Sequence, residues 1–280
     1  MEQQQYQSCD IAAKDVDKVR ALLADAPPHE AVELREASAN GLHGWWYGTY
    51  LEGELEAVAY IDPRTVYLYS KSAAPMSHLG NSLARGMGKR SGGGGHDLFG
   101  PDDVVLAFWQ GFEISGKQVG ANIKYGLYQL KAVACSQNEA YALRLATKKD
   151  LPLVFEFMAE ALMDELGVDL RRVGKEAHER NCLSWLEAGQ IWIGTHRGKP
   201  AYLLKYAKMG EAVSIEQAFF PVAMRRPKVM RGLLARTGEL LLSDHAEVFY
   251  RIDVTKTETI EVASEVGFKL IGTQRMMRLR

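Results

Sequence analysis

The sequence predicts a mixed α/β fold built from two successive units of similar plan. The chain has 280 residues, which is longer than one average domain. Hydrophobic residues make up 47% and charged residues 25% of it, as in globular proteins. Helix and strand patterns follow the same order in both halves, which is typical of a duplicated architecture. We therefore expect two domains, at residues 1–137 and 138–280.

The first half is predicted to contain four helices and five strands, the last of which closes the unit. Residues 1–7 are polar and are expected to fray. A helix begins near Ala13, where apolar residues recur at helical spacing, and it ends before Pro27. Residues 52–54, Glu-Gly-Glu, indicate a hairpin. The other predicted elements are a helix at 31–39, strands at 44–51, 56–61 and 64–69, a helix at 78–87, a short strand at 98–100, a helix from Pro101 and a strand at 125–133.

Four aromatic residues crowd one of these strands: Trp45, Trp46, Tyr47 and Tyr50. Strand alternation places Trp46 and Tyr50 on one face and Trp45 and Tyr47 on the other. These side chains are expected to fill the core. The alternative is that they form an aromatic wall of a substrate cleft.

A glycine-rich segment covers residues 86–95 and places four consecutive glycines just after Lys89 and Arg90. Such a loop could cradle a phosphate, but the Walker spacing Gly-x-x-x-x-Gly-Lys-Ser/Thr is absent. Glycine runs of this kind usually serve as flexible linkers, and this interpretation is favoured here.

The second half follows the same plan as the first. Thr147 is placed to cap a helix, and residues 197–200, Arg-Gly-Lys-Pro, indicate a hairpin. The predicted elements are a strand at 142–146, helices at 151–166 and 175–187, strands at 190–195, 201–208 and 213–220, a helix from Val229, a strand at 248–254, a helix at 259–266 and a strand at 269–279.

The segment at residues 213–244 organises this half. It combines an apolar strand, a turn with Arg225, Arg226 and Lys228, and a helix whose apolar spacing begins at Val229. The free N–H groups and the positive dipole end of a helix N-terminus attract anions, and basic side chains strengthen the effect. An anion site is therefore one prediction. An ordinary strand–helix connection with solvated charges is the alternative.

The second half, from Ala142 onward, resembles the GNAT superfamily of N-acyltransferases. The order of elements matches, and so does Gly267-Phe268 after the last helix. The family binds acyl-CoA pyrophosphate at a turn written Arg/Gln-x-x-Gly-x-Gly/Ala, and residues 225–230, Arg-Arg-Pro-Lys-Val-Met, occupy that turn. The first half looks like a divergent domain of the same type, with Gly100-Pro101 before its late helix. The whole chain thus resembles bacterial tandem-GNAT proteins, which implies two twisted, mostly antiparallel sheets flanked by helices.

The chain departs from the family pattern at several positions. Lys228 and Met230 replace the two glycines of the turn, and long side chains there are expected to obstruct close approach of a phosphate. The Tyr that many members use as general acid corresponds to Ala263, and Tyr250 is the candidate substitute. The Asn that often follows the fifth strand falls near Lys256.

The resemblance implies a set of site residues. Backbone groups of residues 216–220 would place the donor carbonyl. Glu216 is the candidate general base because apolar neighbours could desolvate its carboxyl and raise its pKa, whereas an ion pair or solvent exposure is the alternative. His178 and His196 are weaker candidates. The predicted donor-binding residues are Phe219, Phe220, Val222, Arg225, Arg226, Lys228, Val229, Met230 and Arg231.

These residues predict an acyltransferase that moves an acyl group from acetyl-CoA or another acyl-CoA to a small-molecule or peptide amine. One alternative is an acyl-carrier-protein or aminoacyl-tRNA donor. Another is a non-catalytic binding or regulatory protein that keeps the fold. A net charge of −1 argues against a nucleic-acid partner, tRNA included, and tRNA stays open only as the carrier of an alternative donor.

The sequence indicates no metal site and no membrane segment. The histidines are scattered, without ligand spacing. Cys9, Cys135 and Cys182 are far apart and are expected to be free thiols in a reducing compartment. No signal-peptide pattern or long apolar run is present, so a cytoplasmic location is expected.

Overall fold

A computed structural model describes residues 5–27, 29–62, 64–87, 96–135, 140–209 and 212–280. The chain forms two compact units. The first comprises Met1–Tyr125 together with Gly272–Arg280, and the second comprises Gly126–Ile271. The boundary predicted at residues 137 and 138, and residues 88–95 of the glycine-rich segment, lie outside the described residues.

The first unit contains a mixed sheet with the strand order β1–β2–β3–β4–β5–β12. Its β4 and β5 are parallel, whereas the other neighbouring strands are antiparallel. β6 and β12 each contribute residues to both units. The elements are β1 (Gln7–Asp10), α1 (Val16–Ala24), α2 (Val32–Ala39), β2 (Trp45–Leu51), β3 (Glu54–Ile61), β4 (Thr65–Ser70), α3 (Ala73–Met87), β5 (Asp97–Pro101), α4 (Asp102–Phe112), β6 (Val119–Leu130) and β12 (Lys269–Leu279).

Helices cover both faces of this sheet. On one face, Leu22 of α1 and Leu34 of α2 pack with Trp46 and Val58 of the strands. On the other face, helices α3 and α4 pack with the opposite side chains of the strands. Trp46 is buried, so the prediction that it fills the core is confirmed, whereas Trp45 on the opposite face is 61% exposed.

The second unit repeats this plan with the order β6–β11–β10–β9–β8–β7. β10 and β11 are parallel, and the ladders joining β7 to β8, β8 to β9 and β9 to β10 are antiparallel. The elements are β7 (Tyr141–Leu145), α5 (Leu151–Leu166), α6 (Lys175–Glu187), β8 (Ile191–His196), β9 (Lys199–Met209), β10 (Ala212–Phe219), α7 (Pro227–Leu242), β11 (Glu247–Asp253) and α8 (Thr257–Val266).

Two apolar cores, one on each face, stabilise the strands of the second unit. Helices α5 and α6 enclose one core, which includes Phe157 and Ile193. Helices α7 and α8 enclose the other, which includes Leu233 and Val266. The predicted mixed α/β class, with two units of similar plan, is therefore confirmed.

The local turn chemistry confirms both predicted hairpins. Glu52 and Gly53 have φ values of 51° and 88°, and Arg197 and Gly198 have 52° and 76°. Two consecutive left-handed residues match the right-handed twist of the flanking strands, and glycine in the second position adopts this conformation without steric cost.

Several element boundaries differ from the predictions because tertiary contacts shift them. α3 begins at Ala73 and not at residue 78, and α7 begins at Pro227 and not at Val229. The closing strand of the first half was expected at residues 125–133 but runs from Val119 to Leu130. Residue 7 was expected to fray, but it begins β1. The residues 7–10 of this strand are polar, and they pair with β2 because backbone hydrogen bonds do not depend on apolar side chains.

A capping network anchors the start of α5. The Asp150 carboxylate accepts hydrogen bonds from the Thr147 N–H at 2.8 Å and from both terminal nitrogens of Arg144 at 2.7 and 2.8 Å. The Arg144 hydrogen bonds, with those from Thr147, hold the pKa of Asp150 far below its usual value. The network therefore stabilises the ionised carboxylate in the folded state.

Asp150→Asn is expected to lower the stability of the second unit by about 1–3 kcal/mol at neutral pH. Because the folded-state pKa is depressed, this stabilisation is present above the unfolded-state pKa and is lost as pH falls through the folded-state pKa. Urea unfolding of both proteins should give curves that are well separated at pH 7 and closer at pH 3. Asp244→Asn, at an exposed site, should change little at either pH. Curves for Asp150→Asn and wild type that superimpose at pH 7 would contradict the network's role.

Candidate functional site

The two parallel strands of the second unit separate at their carboxyl ends. β10 and β11 pair only from Ala212 and Glu247 to Ile215 and Tyr250. β10 continues to Phe219 and β11 to Asp253 beyond that point. We call the opening between residues 216–219 and 251–253 the fork. Carboxyl ends of parallel strands commonly form ligand sites because the loops that follow them diverge.

A β-bulge marks the beginning of the fork. The pairing of β10 with β9 shifts register between Ile215 and Gln217, so Glu216 is the inserted residue. The Glu216 carboxylate forms an ion pair with Lys205, whose ammonium lies 4.4 Å from the centre of the Trp185 ring. The structure thus realises the ion-paired alternative for Glu216, and its role as general base stays a prediction.

Tyr250 lies where the strand pairing ends. Its side chain is buried, and its ring contacts Phe268 edge-on, with 5.9 Å between ring centres. Within the described residues, the hydroxyl has no hydrogen-bond partner. Burial, with smaller effects of Tyr202 and Glu165, raises the pKa of Tyr250 well above its ordinary value. The phenol therefore stays protonated and is available as a hydrogen-bond donor at the fork.

The turn after β10 uses most of its own backbone donors. The N–H groups of Arg225 and Arg226 donate to the carbonyls of Val222 and Met224, and those of Val229 and Met230 both donate to the Arg226 carbonyl. Pro227 has no N–H. Among the described residues of this turn, the N–H of Lys228, at the start of α7, has no hydrogen-bond partner. A bound phosphate would find few backbone donors here and would depend on side chains.

Four basic side chains surround this turn, and two of them are already paired. Arg225 donates to the Phe220 carbonyl at 2.8 Å and forms an ion pair with Asp164. Arg231 lies 2.7 Å from Glu265. By contrast, the exposed side chains of Arg226 and Lys228 have no ion pair in the described chain.

The remaining predicted donor residues are mostly buried. Phe219 packs against Phe157 of α5 and lies below the Arg225 guanidinium, and Phe220 stacks on Tyr202. Val229 and Met230 belong to the core under α7, whereas Val222 is 72% exposed. Met230 therefore does not project into the turn, and the expected obstruction at the lost glycines is limited to Lys228. The donor-binding roles of these residues stay predictions.

Tyr141 fixes the first turn of α7. Its hydroxyl donates to the Lys228 carbonyl at 3.2 Å, and its ring lies against Gly232. A Cβ atom on Gly232 would lie 2.2 Å from the nearest ring atom. The glycine therefore allows the helix to approach the aromatic ring.

Sequence reasoning missed two polar residues at the fork, Glu165 and Gln217. The Gln217 amide donates to Glu165 Oε1 at 3.1 Å. Surrounding protein desolvates the Glu165 carboxyl and raises its pKa, although the residue keeps much of its surface in solvent. One sequence pattern pointed to this place: Asp164 and Glu165 stand in the last turn of α5, where negative charge opposes the helix dipole.

The corresponding strands of the first unit have a different geometry. β4 pairs with β3 without a register shift from Val66 to Ser70, so no bulge is present there. A Cβ on Gly100 of β5 would lie 2.4 Å from the Leu68 carbonyl of β4, which shows that these strands stay close together. The candidate site therefore lies in the second unit.

Other candidates contribute little. His196 stacks on Tyr141, and His178 lies on α6. Neither histidine belongs to the two strand segments that form the fork. An open groove of about 1060 Å³ in the first unit is lined by Cys9 and Tyr50. Partial burial and two nearby carboxylates raise the pKa of the Cys9 thiol, which disfavours a nucleophilic thiolate.

Three further findings concern the described residues. All three cysteines are free, as predicted. No group of at least three His, Cys, Asp or Glu side chains in the described ranges is arranged to hold a metal ion. No helix among them combines the length and apolarity needed to cross a membrane.

Comparisons with known proteins identify the fold. No protein-family model matches the sequence, and no curated protein is significantly similar to it. A GNAT-family acetyltransferase structure from Colwellia psychrerythraea matches with a TM-score of 0.61 at 10% identity, covering 98% of this chain and 100% of that chain. A GNAT N-acetyltransferase from Sphaerobacter thermophilus gives 0.61 at 14% identity, covering 98% and 95%.

A tandem GNAT protein from the clavulanic acid biosynthesis pathway also matches over its full length. Its TM-score is 0.55 at 13% identity, and the match covers 98% of each chain. Together these structures show that the present chain has the tandem GNAT fold.

Proposed function

We propose that this chain, which has the tandem GNAT fold, is an acyltransferase that moves an acyl group from acyl-CoA to an amine at the fork of its second unit. The observation that carries the proposal is the fork itself. Beyond the bulge, residues 216–219 of β10 have no pairing with β11 in the described chain, and Tyr250, whose hydroxyl has no hydrogen-bond partner among the described residues, stands at the last pair. Acyl transfer needs both: donors to polarise the acyl carbonyl and an acid for the leaving thiolate.

The donor pyrophosphate would lie on the solvent side of the turn before α7. Arg226 and Lys228 have no ion pair among the described residues, and the Lys228 N–H, which has no partner there either, adds the positive end of the helix dipole. Arg225 supports the turn from beneath through Asp164 and the Phe220 carbonyl. Val222 offers exposed apolar surface at the same turn for the less polar part of the donor.

Calorimetric titration of acetyl-CoA and free CoA into the protein tests this proposal. Saturable binding in the micromolar range, followed by acetyl transfer to a primary amine, is the expected result. No binding of either compound at millimolar concentration would overturn the acyl-CoA donor.

Arg226→Ala and Lys228→Ala are each expected to weaken acetyl-CoA binding several-fold, about 1 kcal/mol, because exposed ion pairs with phosphate are partly screened by solvent. The double variant should lose more than either single one. Calorimetry at about 50 mM and about 300 mM salt measures the loss of affinity and how far salt screens the interaction with phosphate. The Debye length differs about twofold between these two concentrations. Lys149→Ala, an exposed change outside the turn, serves as the matched control. Equal acetyl-CoA affinity in the double variant and the control would show that these two side chains do not bind the donor.

One observation favours a second candidate function. Because the turn consumes most of its backbone N–H groups internally, it is poorly suited to the close pyrophosphate cradle of the family. An acyl-carrier-protein or aminoacyl-tRNA donor would not require that cradle, and neither would a non-catalytic binding protein. Transfer from such a donor, without acetyl-CoA binding, would support this alternative.

A further inference from the structure

The first unit contains a hydrogen-bonded chain of a threonine, a serine and a histidine that the proposed acyl transfer does not use. Ser8 Oγ of β1 lies 2.7 Å from Thr49 Oγ1 of β2 and 2.8 Å from His78 Nδ1 of α3. Ser8 and His78 are 70 residues apart in sequence, so no local motif indicates the pair. A serine hydroxyl within hydrogen-bond reach of an imidazole nitrogen is the arrangement in which histidine serves as the base of a nucleophile.

The burial of Thr49 decides the direction of these hydrogen bonds. Thr49 is completely buried, and Ser8 Oγ is the partner of its hydroxyl among the described residues. If Ser8 donated to Thr49, the Thr49 proton would have no acceptor there, and a buried donor without a partner costs about 1–3 kcal/mol. Thr49 therefore donates to Ser8. The acceptor left for the Ser8 proton in the described chain is His78 Nδ1, which places the imidazole proton on Nε2.

The register of β1 leaves the Ser8 amide on the open side of this strand. The Ile11 N–H donates to the Trp46 carbonyl at 2.9 Å, so Cys9, two residues earlier, also has its backbone groups directed toward β2. Ser8 lies opposite Thr49 in a non-hydrogen-bonded pair, the type that brings side chains close together, which agrees with the short contact of their hydroxyls. The Ser8 N–H therefore points away from β2, and β1 is the last strand in the order on this side.

These groups supply the parts that acyl transfer to a serine requires. A backbone N–H beside the nucleophile stabilises the oxyanion of the tetrahedral intermediate, and in serine hydrolases the nucleophile's own N–H contributes to this task. The Ser8 N–H has that position. Ser8 and His78 are both half-buried, and the Tyr6 ring contacts the imidazole with 5.8 Å between ring centres. Nucleophile, base and oxyanion donor thus meet where β1 packs on α3.

We infer that Ser8 is a nucleophile that accepts an acyl group from an activated carboxylic ester, with His78 as its general base and Thr49 as a positioning residue. His78 Nδ1 takes the Ser8 proton as the Oγ–C bond forms, and the oxyanion develops at the Ser8 N–H. The C–O bond to the leaving alcohol then breaks, and the alcohol oxygen receives the proton from His78. The products are an acyl-serine and a free alcohol. This reaction does not depend on the acyl transfer proposed at the fork.

The probes for the test are a fluorophosphonate and p-nitrophenyl acetate, both applied to the full chain. Wild type should gain a phosphonyl group on Ser8, located by peptide mass spectrometry, and should release p-nitrophenol in a stoichiometric burst. The burst is measured in a Cys9→Ala background, because Cys9 is an exposed thiol that could also be acetylated. Ser8→Ala should show neither signal. Since this change leaves the Thr49 hydroxyl without a partner, Ser8→Ala/Thr49→Val, which removes both hydroxyls, is measured as well and should also show neither.

His78→Ala is expected to slow fluorophosphonate labelling by about 10²–10⁴-fold, the usual contribution of a general base. Added imidazole should restore part of the labelling rate in His78→Ala and none in Ser8→Ala. His78→Asn keeps a hydrogen-bond acceptor but has no group that takes up the proton, so its labelling should stay slow.

Thr49→Val is expected to slow labelling by about five- to tenfold, since one net hydrogen bond no longer orients the Ser8 hydroxyl. Thr49→Ser restores that hydroxyl and should restore the rate, although it removes a buried methyl group. A role of Thr49 in packing alone would give the opposite order, with Thr49→Ser more impaired than the isosteric Thr49→Val.

Ser264→Ala is the matched control. Ser264 Oγ donates to the Ile260 carbonyl at 2.8 Å and has no imidazole partner in the described chain. Its removal should leave the labelling of Ser8 unchanged, and unfolding in urea should abolish that labelling. Three results would overturn the inference: no adduct on Ser8, equal labelling rates in His78→Ala and wild type, or equal labelling of Ser8 and Ser264.

Discussion

Gly111→Ala is expected to destabilise the first unit by about 3 kcal/mol or more, although alanine is the better helix former. A Cβ on Gly111 of α4 would lie 1.9 Å from the Ser77 carbonyl oxygen of α3, and one on Gly80 would lie 2.2 Å from the Phe108 carbonyl oxygen. The two helices thus cross with backbone against backbone. Rigid backbone atoms cannot yield as a flexible side chain would.

The sign of the change in the free energy of unfolding shows whether helix propensity or the backbone clash dominates. Helix propensity alone would stabilise the variant by about 1 kcal/mol, whereas the clash would destabilise it. Thermal and urea unfolding measure the difference. Gly272→Ala is the control, because the nearest atom to its added Cβ would be 3.9 Å away, and it should change stability little. A Gly111→Ala protein at least as stable as wild type would show that the helices can separate without cost.

Tyr250→Phe is expected to reduce acyl transfer by about 10²–10⁴-fold, the usual contribution of a positioned general acid. Donor affinity should be retained, since the ring and its contact with Phe268 stay in place. Stability should also be retained, because the lost hydroxyl has no hydrogen-bond partner in the described chain. Single-turnover rates with acetyl-CoA and hexylamine measure the effect.

Tyr202→Phe provides a matched control in the same core. The Tyr202 hydroxyl is fully buried beside the Thr237 hydroxyl, at 3.4 Å. Its removal should leave the rate unchanged, because Tyr202 does not stand at the fork. Equal rates for Tyr250→Phe and wild type would show that the Tyr250 phenol takes no part in the reaction. A similar loss of rate in Tyr202→Phe would show that the effect comes from altered packing.

The sequence by itself determined the class of the fold and most of its elements. Apolar periodicity located α5 at residues 151–166, because this helix buries one continuous face. Glycine at positions 53 and 198 specified the two hairpins through local backbone geometry. The order of elements, together with Gly267-Phe268 after the last helix, carried the resemblance to the GNAT fold, and both can be read from the chain. Such features depend on neighbours within a few residues.

Only the tertiary structure decided which strand pairs with β5 in the first unit and which carboxylate stands at the fork. β12, at the end of the chain, pairs with β5 through Gln274–Arg278 and Asp97–Pro101, and no local pattern specifies a partner so distant in sequence. Likewise, Glu216 has the position expected of a base, but Lys205 occupies its carboxylate. Glu165 comes from another helix, 52 residues from its partner Gln217. Side-chain partners depend on where a bulge aims each residue, and this becomes fixed only when the sheet and helices pack.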